Sequence, residues 1–346
     1  RPLEAVCIQL EAINNPEMFR RDDVKYVLIG WLRDLRGICT GCATKKNYSF
    51  LFDWLYPNHI KILNRATEVF FNDPQVMNCV LKFLAEFVSS KNSRITFGSN
   101  SPNGFLLFKE TSDLLCTYGT RILNVPVQRD MYDERYKGIH VAMTVLARSL
   151  SGNFCNFGVF KLYNDNSLIK VLDTIIRLSL SIPLKDIVAY PKICKAYFGL
   201  LEILFNSHTE MVIAFDTPIF LQLVTSLEEG IKLDDVSLSS QICAALDHLC
   251  TYYFLQAKKN SPQAQKIQNH LKQSPDLFPR TLSLFFNMIM FQECSNQWSL
   301  SRTMLSLIVI NPGFFEQLKQ QITANIGGSE ERQQKASTVR QRTITT

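Results

Sequence analysis

Few residues in this 346-residue chain have the type and spacing that chemistry requires. Its five histidines, His59, His140, His208, His248 and His270, form no HExxH pair and no other metal-ligand spacing. Cys39-Thr40-Gly41-Cys42 is a lone CxxC with no second pair and no His nearby, so it falls short of a zinc site. The expectation there is a buried pair of small side chains. His248 lies between Cys243 and Cys250, but a helix turns Cys243 and His248 roughly 140° apart, so they do not converge on one metal. Gly98 to Gly104 is rich in glycine yet no Lys-Ser/Thr follows it and no strand precedes it, as a phosphate loop would need. GxSxG is absent as well, and the scattered Ser, His and Asp residues support no triad. The reading is a protein with no catalytic residue, no metal and no cofactor.

The elements that carry these residues follow one pattern. An apolar or aromatic residue recurs at i, i+4, i+7 and i+11, which lines up four side chains on one face of a helix. Five segments show it in full: Val24/Leu28/Trp31/Leu35, Val76/Val80/Phe83/Phe87, Ile139/Met143/Leu146/Leu150, Ile193/Tyr197/Leu200/Leu204 and Ile242/Leu246/Leu249/Tyr253. A sixth, Leu300/Met304/Leu307, breaks at Asn311. Between them lie further helical stretches, roughly Phe50 to Phe71, Phe105 to Asn124, Leu168 to Leu180, Ile219 to Ile231 and Leu282 to Phe291, and an opening helix near Leu3 to Ile13. Boundaries fall at Asp73-Pro74, Ser101-Pro102-Asn103-Gly104, Tyr190-Pro191, Thr217-Pro218 and Asn311-Pro312, because proline is tolerated in the first turn of a helix and not inside it. The fold class is therefore all-α, an α-solenoid of about six HEAT-like helix pairs over residues 1–326. Ser89 to Asn103 and Ser151 to Asn166 read as polar linkers, and residues 327–346, dominated by Ser, Thr, Gln and Arg, as a disordered tail.

Composition agrees. With Gly 14 and Pro 13, turn formers fall below the ordinary share of roughly 12%, while 46% of residues are hydrophobic, which excludes a turn-rich sandwich and a disordered chain. Ten cysteines among apolar neighbours suggest a reducing compartment rather than a disulfide scaffold. The longest apolar run, Leu282 to Phe291, is about half of the ~20 residues a membrane helix needs, so membrane insertion is not expected. A net charge of +6 is mild, and the aromatics read as inter-repeat core rather than base-stacking platforms, so nucleic acid is not the expected partner. What remains is surface, since a solenoid offers an extended face on which a protein can be wrapped. Arg33, Arg36, Lys45 and Lys46, at the end of the first long helix, form the candidate contact for an acidic partner.

Several long segments carry a family resemblance: Arg20 to Ile38 (RRDDVKYVLIGWLRDLRGI), Ser101 to Ser112 (SPNGFLLFKETS), Leu150 to Tyr163 (LSGNFCNFGVFKLY), Leu180 to Leu204 (LSIPLKDIVAYPKICKAYFGLLEIL) and Asn296 to Arg302 (NQWSLSR). Over about residues 1–325 the chain resembles the exportin-7 subgroup of the importin-β-like nuclear transport receptors. The resemblance implies an importin-β-type HEAT superhelix that carries protein cargo past nuclear pore proteins between cytoplasm and nucleus, regulated by the small GTPase Ran in its GTP form. It also implies that this chain, which opens on Arg1, is the C-terminal part of a longer receptor whose main Ran-binding repeats lie N-terminal to it. No Ran-contact residue is carried over. Gly327-Gly328 and the polar tail depart from the family, whose members continue into further helices. The rival reading is a static HEAT scaffold that organises a multiprotein complex.

Overall fold

The computed structural model describes residues 2–98, 101–233, 235–291 and 297–326. Among them there are helices and no strands. The chain divides into two compact units, residues 1–200 and 201–346, with the division falling inside one helix. The tail expected at 327–346 lies outside the described residues.

Unit 1 contains α1 (Pro2–Ala12), the short α2 (Pro16–Phe19), α3 (Asp22–Gly41), α4 (Lys45–Trp54), α5 (Ile60–Phe70), α6 (Pro74–Phe87), α7 (Asn103–Ile122), α8 (Lys137–Ser151), the short α9 (Gly158–Leu162), α10 (Ser167–Leu180), α11 (Leu184–Ala189) and most of α12 (Pro191–Ser207). Its helices stack in two rows. In one, α6 packs on both α3 and α8; in the other, α7 packs on both α5 and α10. Unit 2 continues with α13 (Thr209–Val212), α14 (Thr217–Gly230), α15 (Val236–Lys258), α16 (Pro262–Leu271), α17 (Leu277–Phe291), α18 (Gln297–Ile310) and α19 (Pro312–Ile326). There α15 packs against α14, α16 and α18, and α17 against α14 and α18.

The i, i+4, i+7, i+11 residues are what these helices bury. Leu28, Trp31 and Leu35 of α3, all four members on α6 and on α8, and Ile242, Leu246 and Leu249 of α15 are in the core. Each such side chain contributes roughly 1.5–3 kcal/mol by leaving water. Starts are set by side-chain caps. Asp73 Oδ1 accepts the N–H of Gln75 and Val76 at 2.9 and 3.2 Å, immediately before Pro74. Thr44, Asp235 and Ser261 cap α4, α15 and α16 in the same way, each satisfying a backbone N–H that a helix start leaves open.

Two expectations need correction. Phe50 to Phe71 is not one helix, because it breaks at Leu55–His59, where Tyr56 is extended (φ −107°, ψ 135°). Pro57 bars its predecessor from helical backbone and supplies no N–H of its own. Ser151 to Asn166 is not merely a polar linker. Short helix α9 forms within it, Phe160 enters the core with its ring centroid 4.6 Å from that of Phe105, and Phe157 packs edge-on against Phe108 at 5.0 Å. The glycine of the Gly98–Gly104 stretch that the fold requires is Gly104. A Cβ there would sit 2.0 Å from the carbonyl oxygen of Phe154, so this glycine permits a close chain approach rather than a phosphate cradle.

One link between α7 and α10 has a pH signature. Asp165 accepts Lys109 Nζ at 2.6 Å and, just before α10, the backbone N–H of Ser167 at 2.8 Å. Burial pushes its carboxyl up, but the hydrogen bonds from Lys109 and Ser167 outweigh this and hold it at about 2. A folded value below the unfolded ~3.9 adds stability that is complete above pH ~4 and fades as pH falls toward 2. With Lys109 partly solvated, this amounts to about 1–2 kcal/mol. Urea midpoints measured at pH 5 and pH 3 should therefore fall less in Asp165→Asn than in the parent chain. Equal falls would show that the pair adds nothing.

Candidate interaction surface

Helix C-termini leave backbone carbonyls without partners, and in unit 1 arginines from neighbouring segments satisfy many of them. Arg20 donates Nε and Nη2 to the Val69 carbonyl at 3.2 and 2.9 Å, and Arg121 donates to Glu68 O at 2.7 Å, both at the end of α5. Arg65 reaches the carbonyls of Leu10 and Ile13 after α1, Arg135 that of Val125 after α7, and Arg148 that of Ala85 near the end of α6.

Arg94 is the fullest case. It is only 2% exposed, on the segment after α6, where Asn92 and Ser93 adopt positive φ (52° and 54°) and turn the chain back on itself. Its Nη1 donates to Cys39 O at 2.6 Å and Cys42 O at 3.2 Å, closing the end of α3. Its Nε donates to Ser89 O at 2.8 Å and Nη2 to Glu86 O at 2.5 Å and Glu86 Oε1 at 3.2 Å, closing the end of α6. One guanidinium thus ties together the ends of two adjacent helices. Sequence reasoning missed it, because a single arginine in a Ser/Asn-rich stretch carries no pattern.

The CxxC cysteines lie against this guanidinium. Cys39 and Cys42 are both buried, as expected, and burial drives the Cys39 thiol up to about 12 against the opposing pull of Arg94. Such a thiol is protonated at neutral pH and is not a nucleophile. Cys7, Cys155 and Cys243 are each pushed by burial to about 11. Among the described residues no three His, Cys, Asp or Glu side chains converge as they would around a metal ion. Nor is any helix among them long and apolar enough to cross a membrane.

Other cations are left for the surface. The structure divides the four residues of the candidate basic cluster. Arg33 and Arg36 line a groove of about 580 Å³ between α3, α6 and the start of α8, together with Lys82, Lys137 and Asp133. Lys45 and Lys46 are exposed on α4, with Lys46 Nζ 5.8 Å from the centroid of Phe50. Phe50 belongs to a different cleft, lined by Leu3, Ile38, Leu51 and Trp54. In the first groove Arg33, Arg36 and Lys82 form no ion pair among the described residues, while Lys137 reaches Asp133 at 3.3 Å. Burial depresses the Lys82 ammonium, and the positive charges of Lys137, Arg36 and Lys192 depress it further. His140 is lowered by burial and by the same neighbours, Lys192, Lys82 and Lys137. Lys82, Lys137 and Lys192 escaped sequence reading because they lie about one repeat apart in the chain and meet only when the repeats stack.

These rows of paired helices define a helical-repeat protein. Comparison with known proteins gives the relationship. No family model matches the chain. It is 37% identical over 334 residues to exportin-7-B of Xenopus laevis, covering 94% of this chain and 31% of that protein. To human Ran-binding protein 17 it is 37% identical over 322 residues, covering 90% and 29%. Exportin-7 of Dictyostelium discoideum is 35% identical over 322 residues. The chain belongs with exportin-7 and Ran-binding protein 17, and spans about a third of the length of these relatives. A crystal structure of an engineered protein, Northeast Structural Genomics Consortium target OR366, has a similar fold over 89% of this chain, with a TM-score of 0.50 at 15% identity.

Proposed function

We propose that this chain serves as part of a nuclear transport receptor of the exportin kind, binding protein cargo on its helical surfaces while Ran in its GTP form governs loading. The observation that carries this reading is identity of 35–37% along nine-tenths of the chain with proteins named for export and for Ran binding. The stacked helix rows support it, since such rows present extended faces and need no deep pocket. Ran contacts lie mainly in repeats outside this chain, and the receptor shuttles between cytoplasm and nucleus past nuclear pore proteins.

The test is affinity capture with the complete receptor that contains this chain, with and without Ran loaded with a non-hydrolysable GTP analogue. Partners gained with Ran-GTP mark export, and partners lost mark import. A partner set indifferent to the nucleotide would overturn the reading in favour of a static HEAT scaffold.

A further inference from the structure

We propose that the groove between α3, α6 and α8 binds an acidic, partly apolar segment of a partner protein, with carboxylates seated on Arg33, Arg36, Lys82 and Lys137 and an apolar side chain beside Tyr26. This goes beyond the transport reading and does not rest on it.

Three observations lead there. First, most arginines of unit 1 are already engaged: Arg20, Arg65, Arg94, Arg121, Arg135 and Arg148 donate to backbone carbonyls, and Arg21 and Arg177 pair with Asp23 and Asp173. Arg33, Arg36 and Lys82 have no such duty and no ion-pair partner among the described residues.

Second, the groove gathers like charges from every element around it. Arg33 and Arg36 come from α3, Lys82 from α6 beside Cys79, and Lys137 from α8, while Lys192, at the start of α12, acts on Lys82 from outside the lining. Asp133, on the turn before α8, is the one carboxylate of the lining and is already engaged by Lys137. Lys82 is half-buried among these cations, so its charge is both desolvated and repelled in the unliganded protein. An anion entering the groove relieves both effects, and a binding surface with one sign of charge gathers ligand of the other.

Third, the character of the walls selects among anions. Ile29 and Leu32 belong to the lining but are almost wholly buried, so its exposed apolar surface is chiefly Tyr26, the single ring, 68% exposed. A single-stranded nucleic acid needs a succession of rings to stack on, and its phosphates would face Asp133. Alternating carboxylate and apolar side chains match the lining better.

The experiment uses the 346-residue chain and a fluorescein-labelled 15-residue peptide of repeating Glu-Glu-Leu, with (Lys-Lys-Leu)5 and a 15-nucleotide poly(U) RNA as comparison probes. Anisotropy should show binding of the acidic peptide and not of the basic one. Affinity should fall roughly tenfold or more in R36E/K82E and remain within about twofold in K45E/K46E, which leaves the groove intact. Hydrogen exchange on the unmutated chain should show peptide-dependent protection around 26–36, 75–82 and 133–140, a readout that holds even if the double reversal impairs folding. Equal losses in the two double variants, protection elsewhere, absence of peptide binding, or tighter binding of poly(U) than of the acidic peptide would each overturn the proposal.

Discussion

Arg94→Met should lower the stability of unit 1 by about 3–5 kcal/mol, the cost of removing one partner from a buried ionic cluster. Methionine keeps the length and apolar stem of arginine but none of its donors. The carbonyls of Cys42 and Ser89 then lose the guanidinium of a side chain that is 2% exposed, while those of Cys39 and Glu86 keep only the backbone N–H of Cys42 and Ser89. Each buried acceptor left without a partner costs about 1–3 kcal/mol, partly recovered where water enters. Glu86 keeps a second cation, Lys91 at 3.1 Å, so its carboxylate is not stranded outright. Arg94→Lys should also be destabilising, because one ammonium cannot span the ends of α3 and α6 as a planar fork does.

Hydrogen exchange is the right readout, since stacked helix pairs need not unfold in one step. Faster exchange should concentrate at the C-terminal turns of α3 and α6. A loss below about 1 kcal/mol would mean that water replaces the guanidinium at little cost, contrary to the magnitude expected for a buried charge.

The second large effect is in the core. Phe83→Ala should cost about 3–5 kcal/mol. Phe83 is fully buried, stacks on Phe87 at 5.3 Å between centroids, and lies on the helix that packs against both α3 and α8. The lost ring leaves a cavity that two neighbouring helices line, and partial collapse recovers only some of the energy. Phe83→Leu, which retains most of the volume, should cost clearly less. Ile169→Ala, at a position 58% exposed on α10, should stay within about 0.5 kcal/mol. Urea midpoints for the three variants provide the comparison, and equal shifts for Phe83→Ala and Ile169→Ala would contradict the assignment of this face as core.

Most of the helical framework was readable before any coordinates. The stripe Val76/Val80/Phe83/Phe87 needed only the 3.6-residue period, and Asp73-Pro74 marked its start by local chemistry alone. The stripes of α8, α12 and α15 are legible from the same period. What failed to read were features whose cause lies further off. Tyr56-Pro57 interrupts an apolar pattern that continues on both sides of it, so periodicity ran through the break. Phe157 and Phe160 stand among Asn, Gly and Lys, and nothing near them says that Phe105 and Phe108 will meet them. Of the basic cluster, Arg33 and Arg36 reach the groove while Lys45 and Lys46 lie on α4. Neighbours in sequence at a helix end need not share a face once the chain turns.

The chemistry of the chain follows the same division. The residues alone establish paired helices and the starts of several of them and, by resemblance in long segments, the relationship to exportin-7 and Ran-binding protein 17. These depend on local periodicity, on capping and on residue identity, all of which act within a few residues. Where the charges end up depends on the stacking of the helices. The +6 of the chain reads as one quantity in sequence, yet folding turns several arginines inward onto helix-end carbonyls and leaves Arg33, Arg36 and Lys82 facing one groove. The physical reason is that a carbonyl's need for a donor and a cation's need for an anion are settled by whichever segments the stacking brings within about 3 Å, however far apart they lie in the chain.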